Sequence, residues 1–488
     1  MQERSGSISV LNKTIISSML FIIVCTLVSN IVIVCIPAFY SSDELEKLDF
    51  LQQYGFAFYA KTFFKIFDTQ RFEVPVRPLG YLVWALALSP MPEYPFLVHL
   101  FDVLMHSFVA CLLFLILYRY TNQQRKSIIA ALFFAVSPLT MLSVGWSGAI
   151  FDRLYVFFIL CVLYFFLKYQ NSTRNLDRGL YAACMLASSA AAISSKETAV
   201  ILPLLILLVI LWLRLNKENI DIKATIVALI TSSVPVVTYV LLRIKPLFNS
   251  FLMPAIGGYS TSITNLPSNA IVYFSFPFFI PLLEAHTYFF FPRTLLIAAI
   301  AIHVIVVFLV YKRRGVASAL LYFAFYFVFL IPVLAIKGLA SHYLYGSGLV
   351  LAIAMAFLLS SWKQHFLSNT VVCVLFVALL FHTFALQKFL YDSGTCQAKI
   401  LTSFDVLSKS LTKKEISKGI TITAAPNSRK YVLQRSIFGR HRFGNFFGVN
   451  FEVVDCVQEL KEDISKPILH FDESCNIFML PNSNPVAP

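Results

Sequence analysis

Two adjacent carboxylates, Asp43 and Glu44, follow directly on an apolar run at residues 15–38 that is long enough to cross a bilayer. A charge at that point is fixed in place by the helix beneath it, yet stays wet enough to ionise. That suits an acid–base pair working on a molecule that lies in the lipid. Other ionisable groups recur at the ends of later apolar runs: Arg77, the pair Asp152-Arg153, the pair Lys196-Glu197, and Lys337 with His342 and Tyr343. Cations so placed hold an anionic lipid phosphate, and a carboxylate takes the proton from an incoming hydroxyl. Taken singly, each pair also reads as an interfacial ion pair closing a turn. His99, Asp102 and His106 fall on one helix face. A metal site there needs further ligands in an open geometry, so the three are read as polar contacts between helices. There is no P-loop and no dinucleotide-binding glycine fingerprint, which argues against a nucleotide site.

The elements that must position these groups are membrane helices. Of 488 residues 58% are apolar and only 13% charged, against about 25% charged in soluble domains. The first apolar run lacks a small-residue cleavage site and is read as a retained span, not a signal peptide. The apolar runs predict about eleven spans, at residues 14–38, 96–117, 127–144, 154–167, 179–193, 198–213, 224–242, 294–311, 316–336, 346–360 and about 369–386. Clusters of Lys and Arg in alternate loops place the amino end in the cytoplasm and the carboxyl end outside. The net charge of +14 is largely this loop charge and implies no nucleic acid. The 48 phenylalanines are lipid-facing and core packing.

With that topology, odd-numbered spans deliver Asp43, Glu44, Asp152, Arg153, Lys196, Glu197, Lys337, His342 and Tyr343 to one face, and Arg77 lies in the first loop on the same side. The shared side is what favours a single site, a carboxylate pair surrounded by cations. The first loop, 39–95, has aromatics at helical spacing and is expected to form helices along the membrane surface. The segment 243–292 is interrupted by Pro277 and Pro281 and punctuated by Glu284 and His286. It is expected to dip into, or lie on, the outer surface under protein cover.

Residues 387–488 differ: polar, mixed, with short runs at 420–423, 451–455, 468–471 and 477–480 that read as strands. The fold class expected is an all-α polytopic membrane domain, 1–386, followed by a small α/β periplasmic domain. Of nine cysteines, six lie in apolar runs as small fillers. Cys396, Cys456 and Cys475 lie in the last domain, where one pair is able to bridge in an oxidising compartment.

Several stretches resemble motifs of membrane glycosyltransferases of the GT-C superfamily, the protein O-mannosyltransferase type above all. Val76-Arg77-Pro78-Leu79, then Pro95 to His106, are similar to the segment before and within their second span. Gly148 to Leu154 looks like their second outer turn, Ser194-Ser195-Lys196-Glu197-Thr198 like their Ser-Lys-Glu turn, and His342-Tyr343-Leu344-Tyr345 like their Arg-Tyr-Leu-Tyr stretch with His for Arg. The acidic pair in the first outer loop is the superfamily's hallmark. The likeness covers residues 11–359.

The resemblance implies an inverting enzyme that takes a sugar from a polyprenyl-phosphate carrier. Asp43 is then the general base and Glu44 its support. Arg77, Arg153 and Lys196 steady the leaving phosphate, with Glu197 and Asp152 orienting those cations. His342 and Tyr343 border the lipid phosphate. Some members need a divalent metal at the acidic pair; none is expected here. The implied setting is a bacterial inner membrane. The donor would be an undecaprenyl-phosphate hexose such as glucose, the acceptor a lipid-linked glycan such as lipopolysaccharide O-antigen, with membrane lipids as partners. The rival readings are a lipid-glycan flippase or transporter, for which no internal repeat is visible, and a polysaccharide polymerase, whose large arginine-rich outer loop is not evident.

Overall fold

The computed structural model describes residues 2–39, 42–62, 77–89, 94–252, 261–278, 293–359, 366–416, 418–438, 451–454 and 466–480. Its helices begin and end where backbone chemistry requires. After α1 (Gln2–Ser29) the chain breaks at Asn30 and resumes as α2 (Ile31–Val34). The first loop gives α3 (Ser42–Thr62) and α4 (Pro78–Leu88). Then α5 (Pro95–Thr121) starts on a proline, whose missing N–H costs nothing in a first turn, and ends at Asn122 in the left-handed conformation, φ 51°. The third expected span is two helices, α6 (Gln124–Ala135) and α7 (Pro138–Gly145), bent by 57°. Pro138 cannot continue the ladder of α6, and Ser137 caps α7 by accepting from Leu139 N at 3.3 Å.

The helices that follow are α8 (Ile150–Gln170), α9 (Asn175–Ser195), α10 (Leu202–Leu215), α11 (Ile222–Leu252), α12 (Leu266–Ser275), α13 (Arg293–Arg314), α14 (Val316–Val328), α15 (Tyr345–Leu358) and α16 (Phe366–Ser410), with two short ones, α17 (Lys413–Ile416) and α18 (Lys430–Phe438), in the last domain. Short 3-10 turns, Ser147–Ala149, Glu197–Ile201 and Ser341–Leu344, lead into α8, α10 and α15. Among the described residues seven helices are long and apolar enough to cross a membrane, or eight with the bent pair. The other three expected spans correspond to α1, α9 and α14. The first and last carry shorter apolar helices, and α9 is diluted by alanines and serines. Within segment 243–292, α12 and the turn Phe276–Phe278 are described; Pro281, Glu284 and His286 lie outside the described residues, as do Asp68 and Glu93 of the first loop.

One large apolar core runs between the helices, with Phe114, Phe134, Phe166 and Tyr345 fully buried. A second, smaller cluster seats the first loop: Leu45 and Leu48 of α3 and Trp84 and Leu88 of α4 pack on Ile150, Phe151 and Leu154 of α8.

The helix α16 spans 45 residues, roughly 67 Å at ~1.5 Å per residue, about twice a hydrocarbon core. Its far half carries Cys396, Ile400 and Phe404 into the core of the last domain. There β1 (Ile420–Ala424), β2 (Phe451–Val454), β3 (Ile468–Phe471) and β4 (Ile477–Met479) form a sheet in the order β2-β1-β3-β4. The central β1 is parallel to β2 and β3, and β4 is antiparallel at the edge. All five β1 residues are buried, as a central strand requires. Cys396 and Cys475 form a disulfide tying α16 to the loop before β4; Cys456 lies outside the described residues.

Candidate active site

The start of α3 sorts the two carboxylates. Glu44 and Leu48 are four residues apart and share a face, and both are buried, at 0% and 1% exposure. Asp43, one position earlier, falls about 100° around the helix and is exposed. Glu44 Oε1 accepts from Gly148 N at 2.9 Å, so the carboxylate anchors α3 to the turn before α8. Its Oε2 is buried with no hydrogen-bond partner among the described residues. Burial, and then the neighbouring Asp43, push the Glu44 carboxyl well above its ordinary 4.5.

The cations pair across the fold, not with their sequence neighbours. Arg153 and Asp102 form an ion pair with both side chains at 1% exposure or less. Ser147 Oγ donates to the other oxygen of Asp102. Lys196 Nζ meets Asp152 Oδ1 at 2.6 Å, also buried. Arg77 grips Glu197 with two nitrogens, Nε to Oε2 at 2.7 Å and Nη2 to Oε1, in a pair more open to solvent, at 18% and 36% exposure. Burial alone would lower the Arg77 pKa, but the Glu197 carboxylate holds it above the usual arginine value. Burial lowers the Lys196 ammonium, an effect Asp152 opposes.

Helix geometry explains the cross-pairing. Asp152 and Arg153 lie within the first turns of α8, not in the outer turn expected from the sequence. Successive side chains on a helix do not face each other, so each turns to a different neighbour. Lys196 is extended, φ −157° and ψ 136°, at the end of α9. Arg77 reaches Glu197 because α4 sits directly on that turn. A Cβ at Gly80 would lie 2.7 Å from Ser195 O and 2.4 Å from Phe151 Cδ1, so only glycine permits the approach.

His342 lies on the turn before α15. Its ring is 4.9 Å from that of Trp146, and Ser143 Oγ donates to its carbonyl at 3.0 Å. Lys196 Nζ stands 4.9 Å from the centroid of the Tyr343 ring. Lys337 is exposed in the loop before that turn, and no ion pair ties it to the cluster among the described residues. The structure thus brings together Glu44, Arg77, Asp152, Arg153, Lys196, Glu197, His342 and Tyr343, with Asp43 exposed next to Glu44 in the chain.

Sequence reasoning took Asp102 as a polar contact between helices, which it is, but did not count it in the site or name Arg153 as its partner. The signal was there: an aspartate in an apolar helix demands a partner. Its helix neighbours make the expected inter-helix contacts, His99 Nε2 to Ala38 O at 2.8 Å and His106 Nδ1 to Tyr345 OH at 2.9 Å. Among the described residues no group of three or more His, Cys, Asp or Glu side chains has the placement to hold a metal ion. Glu44 bonds Gly148, His99 bonds Ala38, and Asp102 is taken by Arg153 and Ser147.

Solved membrane transferases resemble the chain. ArnT from Cupriavidus metallidurans, in a structure bound to undecaprenyl phosphate, is 12% identical, with 93% of this chain and 92% of that one covered and a TM-score of 0.44. The oligosaccharyltransferase AglB from Archaeoglobus fulgidus, in complex with an inhibitory peptide and a dolichol-phosphate, is 11% identical over 90% of this chain and 64% of that one, TM-score 0.45. The protein O-mannosyltransferase complex Pmt1-Pmt2 of S. cerevisiae, bound to its sugar donor, is 16% identical over 52% and 36%, TM-score 0.33. No family model matches the sequence, and no curated protein matches it.

Proposed function

We propose that the chain is an inverting glycosyltransferase of the GT-C type. It moves a hexose, glucose in our reading, from undecaprenyl phosphate to a surface glycan such as lipid-linked O-antigen on the periplasmic side. One observation carries the reading: Arg77, Arg153 and Lys196 come from three separate segments and gather at one end of the helical bundle. Each is steadied by a carboxylate, and the paired acids of α3 adjoin them.

In the reaction the acceptor hydroxyl oxygen bonds to the anomeric carbon from the face opposite the carrier. The bond from that carbon to the phosphate oxygen breaks, and the polyprenyl phosphate leaves with the electron pair. Asp43, exposed and able to ionise, takes the hydroxyl proton. Arg153 keeps Nε and Nη1 without partners among the described residues although the side chain is fully buried. Buried donors left unpaired cost about 1–3 kcal/mol each, a cost that a phosphate oxygen relieves as its charge grows. Glu44 holds the start of α3 on Gly148, and on this reading that anchor positions Asp43, the preceding residue. The disulfide between Cys396 and Cys475 supports an oxidising outer side for the last domain.

The test uses purified protein with polyprenyl-phosphate hexose and a lipid-linked acceptor in detergent. Glycan product supports the transferase, and movement of carrier across a sealed membrane without product supports a transporter instead. Asp43→Asn is expected to abolish product formation with folding intact. Full activity in that variant removes Asp43 as the base.

A further inference from the structure

A large recess among the described residues lies away from the site. It is an apolar cavity of about 300 Å³ between α5, α8, α10, α13, α14 and α15, within the size range of small-ligand pockets. Its part of α5 is Leu113 to Tyr120, which at ~1.5 Å per residue is roughly 17–27 Å along the helix from Asp102. It therefore opens at the other end of the bundle, where α13 ends and α14 begins. Its walls are leucines and aromatic rings, among them Trp212, Phe325 and Phe357, and its mouth carries Arg313, Arg314 and Asn216.

Cations predominate at that mouth. Arg314 Cζ lies 5.3 Å from the centroid of the Phe357 ring and Lys126 Nζ lies 5.9 Å from the same centroid. Two cations thus crowd one ring on the cavity wall, and neither forms an ion pair among the described residues. The nearby carboxylate is Glu218, which bonds Tyr120. Like charges held together repel each other, and a doubly basic rim above a dry apolar recess matches an anion carrying an apolar tail. A recess of that size left empty would forfeit dispersion contacts along its whole lining.

We infer that this cavity binds an anionic diacyl phospholipid, one acyl chain in the recess and the phosphate headgroup between Arg314 and Lys126. The site is independent of the sugar-transfer reading: its occupant is a membrane lipid that is not consumed.

The full chain, purified in detergent, is titrated with phosphatidylglycerol and with phosphatidylcholine, and bound lipid is read by native mass spectrometry. One phosphatidylglycerol per chain is expected to be retained at least tenfold more tightly than phosphatidylcholine. The double variant Lys126→Gln with Arg314→Gln is expected to erase that preference. Ala354→Leu, which fills the recess from α15 and leaves the cations in place, is expected to lower retention of both lipids. Equal retention of the two lipids by the unmodified chain overturns the proposal, whatever the variants do. So does a preference that survives the double variant.

Discussion

Replacing Asp102 by asparagine tests whether Arg153 is held by a buried carboxylate. The two side chains are at 1% and 0% exposure, so water cannot take over from the lost charge. The introduced amide would still accept from Ser147 Oγ through its oxygen, but its NH2 group would turn donor against donor toward Arg153. Breaking one side of a buried ion pair costs about 3–5 kcal/mol, because the surviving charge is left uncompensated. At ~1.36 kcal/mol per tenfold that is roughly two to almost four orders of magnitude in the folding equilibrium, a large part of the ~5–15 kcal/mol typical of a domain. The companion variant is Asp102→Leu with Arg153→Met, which removes both charges. Apolar replacements of a whole buried pair are often neutral or better, so this double variant should recover most of the lost stability. It should not recover sugar transfer, since the guanidinium donors are gone. Thermal unfolding in detergent measures the first effect and the transfer assay the second. If Asp102→Asn melts with the unmodified protein, or if the double variant is as unstable as the single one, the buried pair is not what holds Arg153.

The Glu44 carboxyl is raised by burial and by Asp43, so the stability it contributes is present below its ordinary value of 4.5 and is lost as pH rises through its raised folded value. Glu44→Gln keeps the acceptor for Gly148 N and should flatten that loss in melting curves recorded against pH; an unchanged slope refutes the assignment. Gly80→Ala places a methyl against Ser195 O and Phe151, a clash worth about 1–3 kcal/mol. It should lower transfer by separating Arg77 from Glu197, and unchanged activity and melting would show that α4 does not need the close approach.

Much of this was legible in the residues. Apolar runs gave the helices their places, and all four short runs of the last domain became strands, because β-branched and aromatic residues between turn formers suit a pleated sheet. The bend at Pro138 was not read, since 127–144 stood as one span, although the missing N–H accounts for it. What stayed hidden depends on tertiary placement. The last span was expected to end at 386, where polarity changes, but α16 continues to Ser410. Polarity marks where a helix leaves lipid, not where its hydrogen-bond ladder stops. For the site, sequence placed the ionisable residues on one face but not their partners. Asp152 and Arg153 read as a pair because they adjoin, yet a helix turns adjacent side chains apart. Asp102, Arg153's true partner, lies 51 positions earlier in a helix read as carrying only polar contacts.

The cross-pairing also bears on how the proposed site would receive an anion. Arg77, Arg153 and Lys196 carry three positive charges, and Glu197, Asp102 and Asp152 carry three negative ones. The set is neutral before any lipid phosphate arrives, which is the condition for burying it at tolerable cost. Affinity for a phosphate must then come from directed donors, not from net charge. The pairs leave such donors: Asp102 accepts from one terminal nitrogen of Arg153, and Nε and Nη1 remain open among the described residues. An ionised Glu44 would tip the balance to net negative beside the incoming phosphate. Its burial, which favours the protonated form, keeps that further charge out of the buried set, and leaves the exposed Asp43 as the one carboxylate of the pair to face an incoming acceptor.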